Sequence, residues 1–235
     1  MMDWEKRTSL VVGDDGIEKL NNASVIIFGV GGVGGFAAEA IARAGVGNIT
    51  IVDFDDVDIT NINRQIIALH STVGKMKVDV FKERIKDINP NVNITAIAEK
   101  YTLENGEELL SSGKYDYAID AIDMITSKIH LIETCTKKGI KIISSMGMGN
   151  KLDPTKIELT DIYKTSMCPL ARVMRRELKN RGIKKLKVVY STEKAIEPKE
   201  KIMNGNKMTA GSVSFVPSVA GLIMASAVIN DLLGE

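Results

Sequence analysis

Apolar and amphipathic runs alternate through the first 145 residues of the chain. An unbroken apolar run at 25–28 predicts a buried strand, and the alanine-rich stretch 36–43 predicts a helix soon after it. Residues 49–54 read as a second strand. Val73, Val80, Phe81, Ile85 and Ile88 then recur at roughly helical spacing, and Asn89-Pro90 stops that helix. Val92, Ile94, Ala96 and Ala98 alternate as a third strand; 115–120 and 140–145 supply a fourth and a fifth around a helix at 126–138. Strand–helix alternation of this kind predicts an α/β fold, a mostly parallel sheet covered by helices on both faces.

The last ninety residues are less regular. They predict a strand at 156–162, a basic amphipathic helix within 166–185, a strand at 188–191 and a mobile polar loop at 193–212. This is a C-terminal α+β elaboration (151–235) on a core at 1–150, integrated into the same domain. The stretch 218–233 is apolar for only about a dozen residues before Asn230 and Asp231, short of the ~20 needed for a membrane span. A buried or dimer-interface helix is expected there, with no membrane role. A net charge of +1 over 235 residues exerts no global pull toward nucleic acid, so any such signal must be local. Cys135 and Cys168 are the only cysteines, which excludes a disulfide framework and suits a reducing, cytoplasmic location. The opening MMDWEKRTSL has no apolar core of signal-peptide length.

The chemistry begins where the first strand ends. Gly29-x-Gly31-x-x-Gly34 sits between a strand and a helix, where backbone N–H groups and a helix N-terminus can cradle phosphate. Asp53 follows Gly29 by 24 residues, near the ~20-residue offset of an acid that accepts a ribose hydroxyl. NAD and ATP fit this equally. The segment DVDITNINRQI breaks the tie, because it sets Asn61 and Arg64 just beyond the carboxyl edge of the sheet, with Lys77 on the next helix. Those are phosphate-neutralising groups that a hydride-transferring site does not need. IDAIDM places Asp120 and Asp123 at the same edge. A carboxylate there can hold Mg²⁺ shared with phosphate oxygens, although Asp120 equally suits a turn cap. Arg7, ahead of the first strand, can serve a terminal phosphate from its own chain or from a second copy.

RTSLVV, GVGGVG, IVDFDDVDITNINRQ, TVGKMKV, INP and DAIDM occur in order between Arg7 and about Gly147. With these motifs the chain resembles the ubiquitin-activating-enzyme-like adenylyltransferases. The resemblance implies a Rossmann-like core that binds ATP and Mg²⁺. It puts Gly29, Gly31, Gly32 and Gly34 around the nucleotide, with Asp53 and Asp55 beside it and Asp53 on the ribose. It assigns Asn61, Arg64 and Lys77 to the phosphates, Asp123 to the metal, and Arg7 to a neighbouring site across a homodimer. The implied reaction is attack of a carboxylate on the α-phosphate of ATP, and the catalytic set is Arg7, Arg64, Lys77 and Asp123.

Two cysteines cannot supply the paired C-x-x-C zinc ligands typical of the sulfur-carrier activators. The second half instead carries SMCPLARVMRRELKNRGIKK, in which Leu170, Val173, Met174 and Leu178 make one helix face. Arg172, Arg175, Arg176, Lys179 and Arg181 occupy the others, the local footprint of a polyanion partner. CPLARVMRRELKNRGI and VVYSTEK are similar to the branch that dehydrates threonylcarbamoyladenosine in tRNA. That resemblance implies a tRNA substrate whose threonyl carboxylate is adenylated and then cyclised. The alternative is an adenylyltransferase for the C-terminal Gly-Gly of a small sulfur carrier. A sulfur-transfer or redox protein is a further candidate partner. Cys168, ahead of Pro169 at a helix start, admits a thiol-nucleophile reading beside a structural one.

Overall fold

The computed structural model describes residues 2–200, 202–204 and 207–235. Its centre is a seven-stranded sheet in the order β3-β2-β1-β4-β5-β7-β6. The strands are β1 (Ser24–Phe28), β2 (Asn48–Val52), β3 (Asn93–Ile97), β4 (Tyr117–Asp120), β5 (Lys141–Ser145), β6 (Ile157–Asp161) and β7 (Lys187–Ser191). All neighbours pair in parallel except β6, which runs antiparallel to β7 at the sheet edge.

Each central strand feeds two cores, because alternate side chains point to opposite faces. Val25 and Ile27 join one cluster and Ile26 and Phe28 another; Tyr117 and Ile119 oppose Ala118 in the same way. One face carries α1 (Lys6–Asn22), α2 (Gly34–Arg43), α3 (Lys77–Ile88) and α7 (Phe215–Leu233); the other carries α4 (Gly106–Ser111), α5 (Ile125–Lys138) and α6 (Pro169–Asn180). The predicted strands and α2, α3, α5 and α6 are all present. The sequence pattern gave no sign of α1, whose outer side leaves Leu10 and Val11 exposed and whose path bends at Gly13 (φ 75°). It also missed the short α4.

The C-terminal stretch, expected to fall short of a span because its apolar run stops at Asn230, belongs to a 19-residue helix that by length and composition alone could cross a membrane. Its packing gives the physical reason for that composition: a Cβ on Gly221 would lie 2.3 Å from the Val33 carbonyl oxygen, so α7 lies directly against the start of α2. Asp231 continues the helix because its carboxylate is satisfied by Lys187 at 2.6 Å and by the Tyr117 hydroxyl at 2.7 Å. Burial alone would raise its pKa, but those partners outweigh burial and hold it below the ordinary aspartate value.

The polar segment 193–212 has defined anchors. Asn150, in the left-handed region at φ 58°, accepts from Ile196 N through its carbonyl and from Gly211 N through its side chain. Between them β8 (Met203–Asn204) pairs with β9 (Lys207–Met208). Lys201, Gly205 and Asn206, also part of the expected loop, lie outside the described residues.

Candidate active site

A cleft of about 890 Å³ opens at the carboxyl ends of β1, β2, β4 and β5. β1 has β2 on one side and β4 on the other, so the cleft sits where the chain reverses its direction across the sheet. Open α/β sheets bind ligands at that switch point.

The glycine loop forms its floor. Gly29 adopts φ 83° and donates its N–H to Val52 O at 2.8 Å. A Cβ on Gly34 would stand 1.8 Å from the Gly29 carbonyl oxygen, so only glycine lets the loop close onto the start of α2. Gly31 differs: a Cβ there would meet nothing nearer than Gln65 Nε2 at 3.7 Å. Packing does not require glycine at 31, and the space left open belongs to the cleft. That opening, under the N-terminus of α2, fits a phosphate chain. Gly34→Ala is therefore expected to abolish ATP binding by calorimetry, whereas Gly31→Ala is expected to fold normally and weaken ATP alone.

Asp53 organises the loop as well as facing the cleft. It is 8% exposed and accepts from Val30 N at 2.8 Å through one oxygen and from Asp55 N at 3.0 Å through the other. Asp55 passes the order on, pairing with Lys77 Nζ at 2.8 Å. Lys77 is 4% exposed, so its ammonium is held inside the site and not in bulk solvent. Asn61 uses its side-chain oxygen to accept Asp58 N at 3.2 Å, leaving its amide N–H donors for the cleft that it lines. Arg64 also lines the cleft, its guanidinium held by Thr60 O and Asn63 Oδ1, both at 2.9 Å.

Gln65 was missed at the sequence level. It is 7% exposed, lines the cleft and has a side-chain oxygen without a hydrogen-bond partner. Its position directly after Arg64 was the available signal. Tyr101 was also missed. Burial pushes its phenol above the usual range, and its hydroxyl lies 2.9 Å from His130 Nδ1.

The two acids after β4 separate cleanly. Asp120 is fully buried, bound by Lys128 Nζ at 2.8 Å and Ser144 Oγ at 2.6 Å, and it caps the turn by accepting Ile122 N. It does not line the cleft. Asp123 is exposed and does. No group of three His, Cys, Asp or Glu side chains capable of holding a metal exists among the described residues. Asp123 alone would suit a Mg²⁺ that takes its other ligands from phosphate and water.

Arg7 is exposed on α1 and does not line the cleft of its own chain. On α6, Ala171, Met174 and Leu178 are buried, while Arg172 and Lys179 face solvent. The basic stripe needs a correction at Arg175, which turns inward to bond Thr165 through that residue's carbonyl at 2.9 Å and its hydroxyl. Arg176 and Arg181 remain on the surface but share Glu177, at 3.1 and 2.9 Å. Cys168 is 5% exposed and packed in the cluster beneath α6, which favours its structural role. Cys135 is fully buried, and burial pushes its thiol up to about 12.

A glycine loop, a buried acid at the next strand end, the donors Asn61, Arg64 and Lys77 and the exposed Asp123 line one cleft at the switch point of a doubly wound sheet, the place where proteins of this class bind nucleotides. The chain belongs to the ThiF family, whose family model matches residues 6–235. It is 50% identical to the tRNA threonylcarbamoyladenosine dehydratase of Bacillus subtilis over 246 aligned residues, covering 100% of this chain and 96% of that protein. It is 39% identical to the Escherichia coli enzyme of the same name, over 83% of this chain and 76% of that protein. The crystal structure of the E. coli enzyme in complex with ATP matches with a TM-score of 0.89 at 35% identity, covering 99% of this chain and 96% of that one.

Proposed function

We propose that this protein is a cytoplasmic, ATP-dependent tRNA threonylcarbamoyladenosine dehydratase. The threonyl carboxylate attacks the α-phosphate of ATP, pyrophosphate leaves, and the acyl-adenylate forms. An atom of the same modified base then attacks the activated carbonyl and AMP leaves, closing a ring with net loss of one water. The nucleophile is tethered beside its target, so no protein thiol is needed. The observation that carries the reading is the convergence of Gly31, Asn61, Arg64, Lys77 and Asp123 on one cleft in a chain that matches a dehydratase from end to end.

Each residue has a part. Gly29, Gly31, Gly32 and Gly34 let backbone approach the phosphates, and Asp53 meets the ribose while Asp55 orients Lys77. Asn61, Arg64 and Lys77 neutralise the charge that develops on the leaving pyrophosphate. Asp123 would hold Mg²⁺, which when bound supplies positive charge to the phosphate oxygens. Arg7, at the start of α1, does not line the cleft of its own chain and would act in the cleft of a second copy, making the enzyme a homodimer. Arg172 and Lys179, with Arg176 and Arg181 behind them, offer the tRNA backbone a basic edge.

The test incubates the purified protein with Mg–ATP and tRNA carrying threonylcarbamoyladenosine, followed by gentle digestion and mass spectrometry. The nucleoside is expected to lose one water only when ATP is present. An unchanged nucleoside with ATP bound to the protein would refute the reading and direct attention to Gly-Gly sulfur carriers.

A further inference from the structure

The segment that supplies Asn61 and Arg64 contains a further side chain that the phosphate set does not use. Asn63 is exposed and does not line the cleft. Its amide is nonetheless engaged at both ends: Oδ1 accepts from Arg64 Nη1 at 2.9 Å, and Nδ2 donates to Ser212 O at 2.9 Å. A donor on one side and an acceptor on the other settle which end of the amide is which. Both partners bear on the cleft, since Arg64 lines it and so does the segment 209–212 that leads into α7.

The bond to Arg64 decides which edge of the guanidinium is left for a ligand. Among the described residues its two hydrogen bonds both leave through Nη1, one to Thr60 O and one to Asn63 Oδ1. Nη1 has two protons, and both are taken. What remains is the Nε and Nη2 edge, the parallel pair of donors that can meet two oxygens of one phosphate. With Thr60 O alone the guanidinium could pivot about a single bond; Asn63 supplies the second point that fixes its plane. The other end of the amide is equally well founded. Gly211 N donates to Asn150 Oδ1 at 2.6 Å, and Asn150 N donates to Gly211 O at 2.8 Å. A Cβ on Gly149 would lie 2.8 Å from Ala210 Cβ, so this wall of the cleft rests directly on the chain beyond β5.

We propose that Asn63 is a positioning residue: it aligns the Arg64 fork with the leaving pyrophosphate and takes its own place from the segment that Asn150 anchors. This rests on the dehydratase reading above. Arg64 is correctly aimed only while the 209–212 wall is docked. Asn63 and Asn150 act through the arginine and need no contact with ATP.

The experiment compares wild-type protein, Asn63→Ala, Asn150→Gly and the double variant, with water loss from threonylcarbamoyladenosine in tRNA as the readout. Asn63 is exposed, and glycine adopts the φ of 58° at position 150 without strain, so each variant is expected to melt near the wild-type temperature. A misaimed arginine still attracts ATP but stabilises the transition state less. In Asn63→Ala, kcat is therefore expected to fall about tenfold, the scale of one hydrogen bond to a charged group, while KM for ATP stays within about twofold. Asn150→Gly is expected to lower kcat about threefold, by the same scale shared over a longer relay. The double variant should be no slower than Asn63→Ala, because the second cut falls on a series already broken. Wild-type kcat in either single variant overturns the relay, and so does a double variant whose loss is the product of the two. A loss of turnover that tracks a lower melting temperature or a higher KM for ATP overturns the positioning role. Wild-type protein that binds ATP yet leaves the nucleoside intact would instead bring down the dehydratase reading; that arm separates the two failures.

Discussion

Lys77→Ala is expected to lower the rate of water loss from the tRNA nucleoside by about 10²–10³-fold while the protein stays folded. The two halves of this expectation have separate causes. Lys77 is buried, but its partner Asp55 has a side chain 48% exposed, so removing the lysine leaves no carboxylate stranded away from water. A pair with one solvated member contributes at most about 1 kcal/mol. The activity loss is larger because the ammonium lines the cleft, where the role proposed for it makes the triphosphate its second partner. Charge that moves onto the leaving pyrophosphate would find one fewer fixed cation, in a place where field strength is high. Lys82→Ala, one turn on and exposed on the same helix, serves as the control and should be silent. A Lys77→Ala enzyme within threefold of wild type would remove Lys77 from the phosphate site.

The cleft was largely legible because its parts are local in sequence. Glycine spacing, an acid at the next strand end and NINRQ each announce themselves within a few residues, and the parallel sheet brings those ends together. What stayed hidden depends on tertiary contacts. Asp120 and Asp123 look alike in IDAIDM; only the packing of α5 against β4 and β5 puts Lys128 and Ser144 onto Asp120 and leaves Asp123 free. Arg175 was indistinguishable from its neighbours on a helical wheel until the turn at Thr165 was placed beneath it. The helix α1 was missed because its apolar residues do not fall on one stripe: Ile17 and Leu20 are buried while Leu10 and Val11 face outward. Val173 was assigned to the apolar face of α6, but Ala171 takes the buried place between Cys168 and Met174.

The pair beneath the cleft should show the largest stability effect in the molecule. Lys128 and Asp120 have side chains 1% and 0% exposed, and their charged atoms lie 2.8 Å apart. Lys128→Met removes one charge and leaves the other with only the Ser144 hydroxyl and the Ile122 N–H for company. Stranding a buried charge in this way costs about 3–5 kcal/mol, read as a lower urea midpoint at unchanged slope. The same physics predicts rescue. Adding Asp120→Asn to Lys128→Met removes the orphaned charge while keeping an oxygen for Ile122 N, and should return most of the stability, since apolar or neutral replacements of buried pairs are often tolerated. The double variant then isolates what the pair contributes beyond stability. Asp120 sets the turn that carries Asp123, so a refolded double variant with reduced turnover would tie the buried pair to the geometry of the carboxylate above it. A single Lys128→Met that costs under about 1 kcal/mol would mean that the interior there admits water, and that the pair is not the closed unit its burial describes.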